Sequence, residues 1–479
     1  MKRLFAILVM LVAVNASGQW QADVRLTNNP EISFTSINNT WCVASSGNIV
    51  HVVWFDTRDG NEEIYYKQST NSGVNWGTDI RLTNNNAYSE YPSIVVSGSI
   101  VHVIWHDNRD GNFEIYYKRS TDAGISWGTD TRLTINSASS MYPSVVISGS
   151  VVHVVWQDGR DGSNGEIYYK NSTNGGINWG ADTRLTNNTA ESSFPSVAVS
   201  GSVVHVVWRD ARDGNTEIYY KRSSNTGENW GTETRLTNNT NYSFYPSVAV
   251  SGSVVQVVWD DNRSGDWEIY NKRSTDGGIN WGMDTRLTNY TGVSSFPSVA
   301  VSGMLIHVVW RDERDSNKEI YYKRSTDAGV NWEADIRLTN SYAESSSPSV
   351  ALSGSVVHVV WQDYLDWNYD IYYKRNPTGN PTGIQNISTE TPSAYSLSQN
   401  YPNPFNPRTI VSFSLPVAGD VRLSVFDVTG REVEVLVNER LNAGKYEARF
   451  DGSRLTSGVY FYRLMTGDFA ETKRMILLK

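Results

Sequence analysis

At 479 residues the chain is longer than one hydrophobic core usually organises, so it must hold several domains or a repeat array. Aromatics make up 12% of it, with 17 Trp, 27 Tyr and 37 Gly against 14 Pro and 7 Met, a balance of pleated, turn-rich structure that excludes a disordered or collagenous chain. The net charge of −9 argues against sequence-independent nucleic-acid binding and against anionic membrane surfaces, and the single Cys42 permits neither an internal disulfide nor a Cys/His zinc spacing.

Lys2 and Arg3 precede an apolar run from Leu4 to Val14, and the small residues Ala16, Ser17 and Gly18 follow it, which reads as a secretory signal peptide over residues 1–18. That run is too short to cross a bilayer, and no later stretch approaches the roughly 18 apolar residues needed, so no transmembrane segment is expected. Cys42 lies well beyond the cleavage region and reads as a small apolar side chain in a strand.

From there the chain repeats itself. A Trp closing an apolar strand recurs at Trp54, Trp105, Trp156, Trp208, Trp259, Trp310 and Trp361, always 51 residues apart except once, at 52. The extra residue falls in a turn at Ser163, Asn164 and Gly165. Each unit holds four strand patterns: Pro-Ser-Val-Ala-Val-Ser, Val-Val-His-Val-Val-Trp, Glu-Ile-Tyr-Tyr-Lys-Arg, and a segment ending in Arg-Leu-Thr. Arg-Leu-Thr begins at positions 25, 81, 132, 184, 235, 286 and 337, so its first copy precedes any complete unit, while the last unit stops at Arg375 and Asn376 without one. The expectation is an all-β, seven-bladed β-propeller over residues 19–376, closed by the N-terminal strand. Each twisted sheet has two faces to bury, radial stacking buries both, and closure removes the open edges.

Between the third and fourth strand patterns stands Ser-x-Asp/Asn-x-Gly-x-x-Trp, first at Ser69 to Trp76, with copies starting at Ser120, Ser172, Ser223, Ser274 and Ser325. This motif resembles the Asp-box, or BNR repeat, of the sialidase superfamily. Asn71, Asp122, Asn174, Asn225, Asp276 and Asp327 are expected to hydrogen-bond the hairpin backbone, Gly73 and its counterparts to accept positive φ, and Trp76 and its counterparts to pack.

Up-and-down connectivity puts the loop between strands two and three on the opposite rim. It reads Trp-x-Asp-x-Arg-Asp-Gly-Asn-x-Glu, and Arg58, Arg109, Arg160, Arg212, Arg263 and Arg314 share one position in it. Six guanidiniums at one level are candidates to bind the carboxylates or sulfates of acidic sugars. Because acidic residues flank each Arg, the favoured alternative is that every one pairs within its own neighbourhood. The oxygen-rich loop also offers a calcium reading, set against the Arg in its midst and the lack of an alternating carboxylate ladder, and no other cofactor is implied. His51, His102, His153, His205, His307 and His358 share one strand position with Gln256, a substitution that favours hydrogen bonding over metal ligation.

A site with distinct roles has to come from positions that differ between units. The residue after each repeat Trp does differ, as Phe55, His106, Gln157, Arg209, Asp260, Arg311 and Gln362. The seventh unit replaces the Arg loop with residues Tyr364 to Asp370, and the fifth adds Trp267. His106, Trp267, Tyr364 and Trp367 therefore join the arginines as ligand-binding candidates, the rings being suited to stack on sugar faces, with neutral drift as the equal alternative.

The superfamily resemblance implies a six-bladed enzyme with three arginines on a sialic-acid carboxylate, a Tyr nucleophile assisted by Glu, and an Asp acid. This sequence counts seven units, has no Arg-Ile-Pro-type motif ahead of the first, and repeats its Arg, Glu and Tyr uniformly, so no residue is carried over as catalytic. The expectation is a secreted or cell-surface propeller that binds an extracellular ligand, a glycan first. An exo-sialidase or related glycoside hydrolase, and a scaffold binding a surface protein, are the alternatives.

The end of the chain carries a second resemblance. Leu397 through Pro407, Thr409 to Phe413, Phe426 to Arg431, Ser457 to Tyr462 and Lys473 to Lys479 are similar to the type IX secretion C-terminal sorting domain. This implies a small immunoglobulin-like β-sandwich over residues 397–479, read by the type IX secretion machinery at the outer membrane of Gram-negative, Bacteroidetes-type bacteria. Residues 377–396, rich in Pro, Thr, Gly, Asn and Ser, read as the linker.

Overall fold

The computed structural model describes residues 20–36, 42–162, 164–365, 368–378, 384–388, 391–441, 443–452 and 455–479. They fall into a larger unit, Gln21–Arg375, and a smaller one that takes Trp20 together with Asn376–Lys479. The expected signal peptide, Trp367 and part of the expected linker lie outside the described residues.

The larger unit is built of four-stranded antiparallel sheets, one to each repeat Trp. Ser89–Ser97, Ile100–Asp107, Glu114–Ser120 and Thr131–Arg132 bond in that order, and later repeats copy it. At the front, Ser33–Phe34 and Val43–Ser46 together take the place of the first strand against Ile49–Asp56. The sheet of Trp361 receives its fourth strand from the start of the unit, with Val24 opposite Tyr373 and Arg25 opposite Tyr372.

Apolar cores form between sheets rather than within them. Val53, Ile64 and Tyr66 pack on Val101, Val103 and Trp105 of the next repeat, and Trp54 and Tyr65 pack with Val360, Ile371 and Tyr373. That is why the second strands read Val-Val-His-Val-Val-Trp with little alternation: both faces are covered. Every repeat Trp is fully buried, and full burial of a large apolar side chain stabilises by about 1.5–3 kcal/mol.

One set of side chains fastens each joint. His51 Nδ1 and Tyr66 Oη hydrogen-bond at 2.6 Å, and burial pushes the imidazole down to about 4, so it is neutral. The Tyr66 ring meets Trp127 of the next repeat edge-on at 4.9 Å, and its hydroxyl lies against Gly124, whose φ is +87°. Gly is thus required twice, for its φ and for the space a Cβ would take from Tyr66. The same clasp joins His102 and Tyr117 to Gly176 and Trp179, and His358 and Tyr373 to Gly73 and Trp76. In the fifth repeat both partners change together: Asn271 Nδ2 donates to Gln256 Oε1 at 2.8 Å, and Gln256 Nε2 donates to the Ala328 carbonyl at 3.0 Å. Lysines tie the outer strands as well, Lys67 Nζ to the Leu26 carbonyl and Lys272 Nζ to that of Leu236.

Both rims are pinned by carboxylates or amides. Asn71, Asp122, Asn174, Asn225, Asp276 and Asp327 each accept, through Oδ1, the amide four residues on at 2.8–2.9 Å. On the other rim Asp56 accepts from Trp54 Nε1 at 3.0 Å, Ser33 Oγ at 2.7 Å, and Arg58 Nε and Nη2 at 2.9 and 2.6 Å. Arg58 Nη1 reaches Asp79 at 2.7 Å while the guanidinium lies 4.2 Å above the Tyr65 ring. Burial pushes the Asp56 carboxyl up, yet the bonds from Arg58, Ser33 and Trp54 hold it below the usual carboxylate range. In the seventh repeat Leu365 stands where the Arg would be. Asp363 keeps Ser345, Trp361 and a long 3.5 Å bond from Ser341 Oγ but no guanidinium, and burial raises its carboxyl to about 6.

The smaller unit has two four-stranded antiparallel sheets. One joins Ile384–Ser388, Gly444–Asp451, Arg408–Leu415 and Ser396–Leu397; the other joins Glu432–Leu441, Gly419–Phe426, Gly458–Thr466 and Phe469–Leu477. Val411, Phe413 and Leu415 from the first share a core with Leu423, Val425, Tyr462 and Leu464 from the second. Segment 377–396 is therefore not connection throughout, since Ile384–Ser388 pairs along Gly444–Asp451 as an edge strand.

Gly124→Ala should destabilise the larger unit by about 2–4 kcal/mol, and Gly60→Ala, also left-handed but facing open space, by about 1 kcal/mol, a difference that denaturant unfolding resolves. Leu365→Arg should stabilise by about 1 kcal/mol at pH 8. Asp363 titrates near 6 when folded against an ordinary 3.8, so the stability it lends is full below 3.8 and lost as pH rises through 6. An Arg between Asp363 and Asp23 restores it, and melting curves should show the gain fading to nothing by about pH 4.

Candidate ligand-binding site

Strand register decides what each rim carries. Ser89 pairs with Asp107 and Glu90 with His106, so the first strands begin beside the Arg loops, whereas the Ala123 amide donates to the Ser99 carbonyl at the far end. At that beginning the first strands of the second to seventh repeats bulge. The register shifts between Glu90 and Ser93, and Tyr91 adopts φ +51° ahead of Pro92. Tyr142, Phe194, Tyr245 and Phe296 do the same with φ of +53°, +52°, +48° and +56°, and Ser347 at +52° repeats the bulge without a ring. A residue before proline is ordinarily extended, and a bulky left-handed residue stores on the order of 1–3 kcal/mol of strain.

The bulges bring the rings together. Centroids lie 5.3 Å apart for Tyr91 and Tyr142, 4.8 Å for Tyr142 and Phe194, 5.4 Å for Phe194 and Tyr245, and 4.5 Å for Tyr245 and Phe296. In the other direction the arc runs from Tyr91 through Phe55, Phe34 and Tyr369 to Tyr364, at 5.3, 5.3, 5.0 and 4.7 Å. Most of these rings are half-buried, so they expose part of their surface. Burial is the first cause that pushes up the Tyr91, Tyr142 and Tyr245 phenols, Tyr91 to about 12. All stay protonated near neutral pH and can both donate and accept.

The arc is open between Phe296 and Tyr364, and the opening is polar. Arg311 lies 4.8 Å above Phe296, while Thr35 Oγ1 donates to the Ser347 carbonyl at 2.9 Å and to Gln362 Oε1 at 3.1 Å. Further along the same strands is a cavity of about 220 Å³ lined by Ala44, Val146, Ala198, Ala249, Ala300 and Ala351 among other apolar residues.

The expected site residues separate into those the arc gathers and those it does not. Trp267 stacks on Phe244 at 5.1 Å and extends the arc outward, and Tyr364 is its end. His106 is buried beneath Tyr91 and Tyr142; its Nδ1 accepts the Tyr142 amide at 3.2 Å and its Nε2 faces Glu90 at 3.2 Å, so both ring nitrogens are engaged under the rings. Burial holds its pKa down against the pull of Glu90. Arg58, Arg109, Arg160, Arg212, Arg263 and Arg314 are outside the arc, and each spreads its Nε and terminal nitrogens over two carboxylates. Among the described residues no group of three or more Asp, Glu, His or Cys could hold a metal ion, and Arg58 itself occupies the space between Asp56 and Asp79. Arg209 braces the arc from the side, 4.9 Å from Phe194 and 5.1 Å from Phe244, and pairs with Glu191 at 3.2 Å. Reading each first strand from its Pro onward leaves out the ring just before it, although an aromatic before Pro recurs at Tyr91, Tyr142, Phe194, Tyr245 and Phe296.

Residues 399–478 match the family described as the secretion system C-terminal sorting domain. No curated protein matches the chain in sequence. Among solved structures, a polysaccharide lyase of family PL25, an ulvan lyase bound to -[GlcA(1-4)Rha3S]-, is similar with TM-score 0.54 and 12% identity over 74% of this chain and 95% of its own. The polysaccharide lyase Uly1 is similar with TM-score 0.53 and 8% identity, over 75% and 99%. The Trypanosoma rangeli sialidase gives 0.45 and 12%, over 83% and 85%. At these identities the likeness is one of fold. The larger part of the chain thus shares its fold with these polysaccharide lyases, and its end matches a secretion system C-terminal sorting domain, which indicates a secreted or cell-surface protein of Bacteroidetes-type bacteria.

Proposed function

We propose that residues 19–376 form a seven-bladed propeller closed by its N-terminal strand, that it binds an extracellular glycan on the rim of the Arg loops, and that a signal peptide over 1–18 and an immunoglobulin-like sorting domain over 397–479 direct its export. Support for the ring comes from the sheet that accompanies each repeat Trp, from Val24–Arg25 lying along the last sheet, and from the Tyr373 and Gly73 joint, which copies that of Tyr66 and Gly124. The observation that carries the ligand reading is the aromatic arc, held by strained bulges in five consecutive repeats and edged with phenols. Half-buried rings beside neutral hydroxyls suit the apolar face and the hydroxyls of a sugar. Binding is favoured over exo-sialidase activity because the loop arginines are engaged by carboxylates, whereas a sialic-acid carboxylate needs guanidiniums left for it. A scaffold for a surface protein gives no reason for the arc.

A carbohydrate array followed by calorimetry on the full-length protein, with and without calcium, should find saccharide binding. Tyr142→Ala should weaken it by about tenfold or more, while Arg58→Gln should lower the melting temperature and leave affinity unchanged. Undiminished affinity in Tyr142→Ala, or turnover of a fluorogenic sialoside, overturns the reading.

A further inference from the structure

At the position after the repeat Trp, the fifth repeat alone carries a carboxyl, Asp260. It is 2% exposed, and its Oδ1 has no hydrogen-bond partner among the described residues. On the next sheet Arg311 lies over Phe296 with its Nε likewise unanswered among the described residues, and its Nη2 comes no nearer than 3.5 Å to Glu313. Tyr245 stacks on Phe296 at 4.5 Å, and after burial its phenol feels Asp260, Arg209, Tyr142 and Arg311. Burial pushes the Asp260 carboxyl well above the usual range; Asp261 adds to that push, while Arg311 and the backbone amides of Asp260 and Phe296 oppose it. A buried acceptor atom and a buried donor atom left without partners lower stability, and such groups beside half-buried rings point to a binding position.

We propose that Asp260 and Arg311, floored by Tyr245 and Phe296, form the polar subsite of the arc, and that it takes two neighbouring hydroxyls of a neutral sugar ring rather than a uronate or a sulfate. The proposal rests on the glycan reading and names the sugar class. A diol supplies a hydroxyl to each unanswered atom, one at Asp260 Oδ1 and one accepting from Arg311 Nε–H, while the ring's C–H face lies on the aromatic pair. Charge decides against an acidic sugar. The two guanidiniums near the arc, Arg209 and Arg311, already have Glu191 and Glu313 beside them, and Glu90 adds a third carboxylate, so an incoming anion meets more negative charge than positive.

The test titrates the full-length protein by calorimetry with cellohexaose, mannohexaose and galactohexaose on one side, and with oligogalacturonate and sialyllactose on the other. A neutral oligosaccharide should bind more tightly than either acidic one, and Asp260→Asn and Arg311→Gln should each weaken it by about tenfold or more. Asp260→Asn should also melt at a higher temperature than the parent, increasingly so from about pH 4 to pH 8, because a carboxyl with a raised folded pKa loses its stabilising share as pH climbs through that value and an amide does not. A purely structural Asp260 would move the melting curve and leave the affinity alone. Unchanged neutral-sugar affinity in both variants, or tighter binding of oligogalacturonate, overturns this subsite while leaving the glycan reading in place; absence of binding to any saccharide removes both.

Discussion

A four-stranded sheet with two apolar faces cannot be stable alone, and the joint between one sheet and the next is what the larger unit depends on. The tyrosine of one third strand reaches the Gly and Trp of the following turn, and the buried histidine behind it holds the hydroxyl in place. Much of the repeat follows from that contact. It explains a glycine where a side chain would collide, a Trp that packs although its indole nitrogen meets no partner among the described residues, and a histidine kept neutral by burial. Fifth-repeat Gln256 and Asn271 show how strictly the joint is kept, because its two halves change together and still bridge to Ala328.

Against so regular a background, departures carry the meaning. Where Arg becomes Leu365, the loop loses its guanidinium, Asp363 drifts up in pKa, and the neighbouring segment supplies Tyr364 and Tyr369 to the arc instead. Where Tyr or Phe becomes Ser347, the arc opens and polar groups fill the gap. The six loop arginines, being alike, are alike in their pairing, and their ion pairs brace the loops. The ends of the aromatic arc and its polar opening fall where neighbouring repeats differ.

The repeat length, the four strands per unit, the supply of a fourth strand from the front and the turn-building Asn and Asp side chains were all legible, because each leaves a periodic mark: Trp every 51 residues, and Arg-Leu-Thr one step out of phase. The tail could be read from its own motifs. The arc could not be read in the same way. Proline biases the residue before it toward an extended backbone, so nothing local announces that Tyr91 or Phe296 turns left-handed and meets rings from other sheets. The co-substitution of Asn271 was visible in the letters, but its sense lies in a contact 15 residues away across a strand pair. The strand at Ile384–Ser388 was hidden by a composition that reads as linker, and only its partner Gly444–Asp451 gives it structure.

The strand supplied from the front also sets an order in time. Val24 meets Tyr373 from about 350 residues away, and bringing such distant points together costs about 5 kcal/mol of chain entropy. Nothing made early in synthesis can offset that loss, since the partner strand is the last of the unit to be made. Nearest-neighbour joints can form as repeats appear, yet Leu26 and Trp54 lack their apolar partners Val360 and Ile371 until the seventh repeat exists. The first strand therefore lacks its native partner through the assembly of everything between, which makes its pairing the last step of the unit rather than one of its local joints.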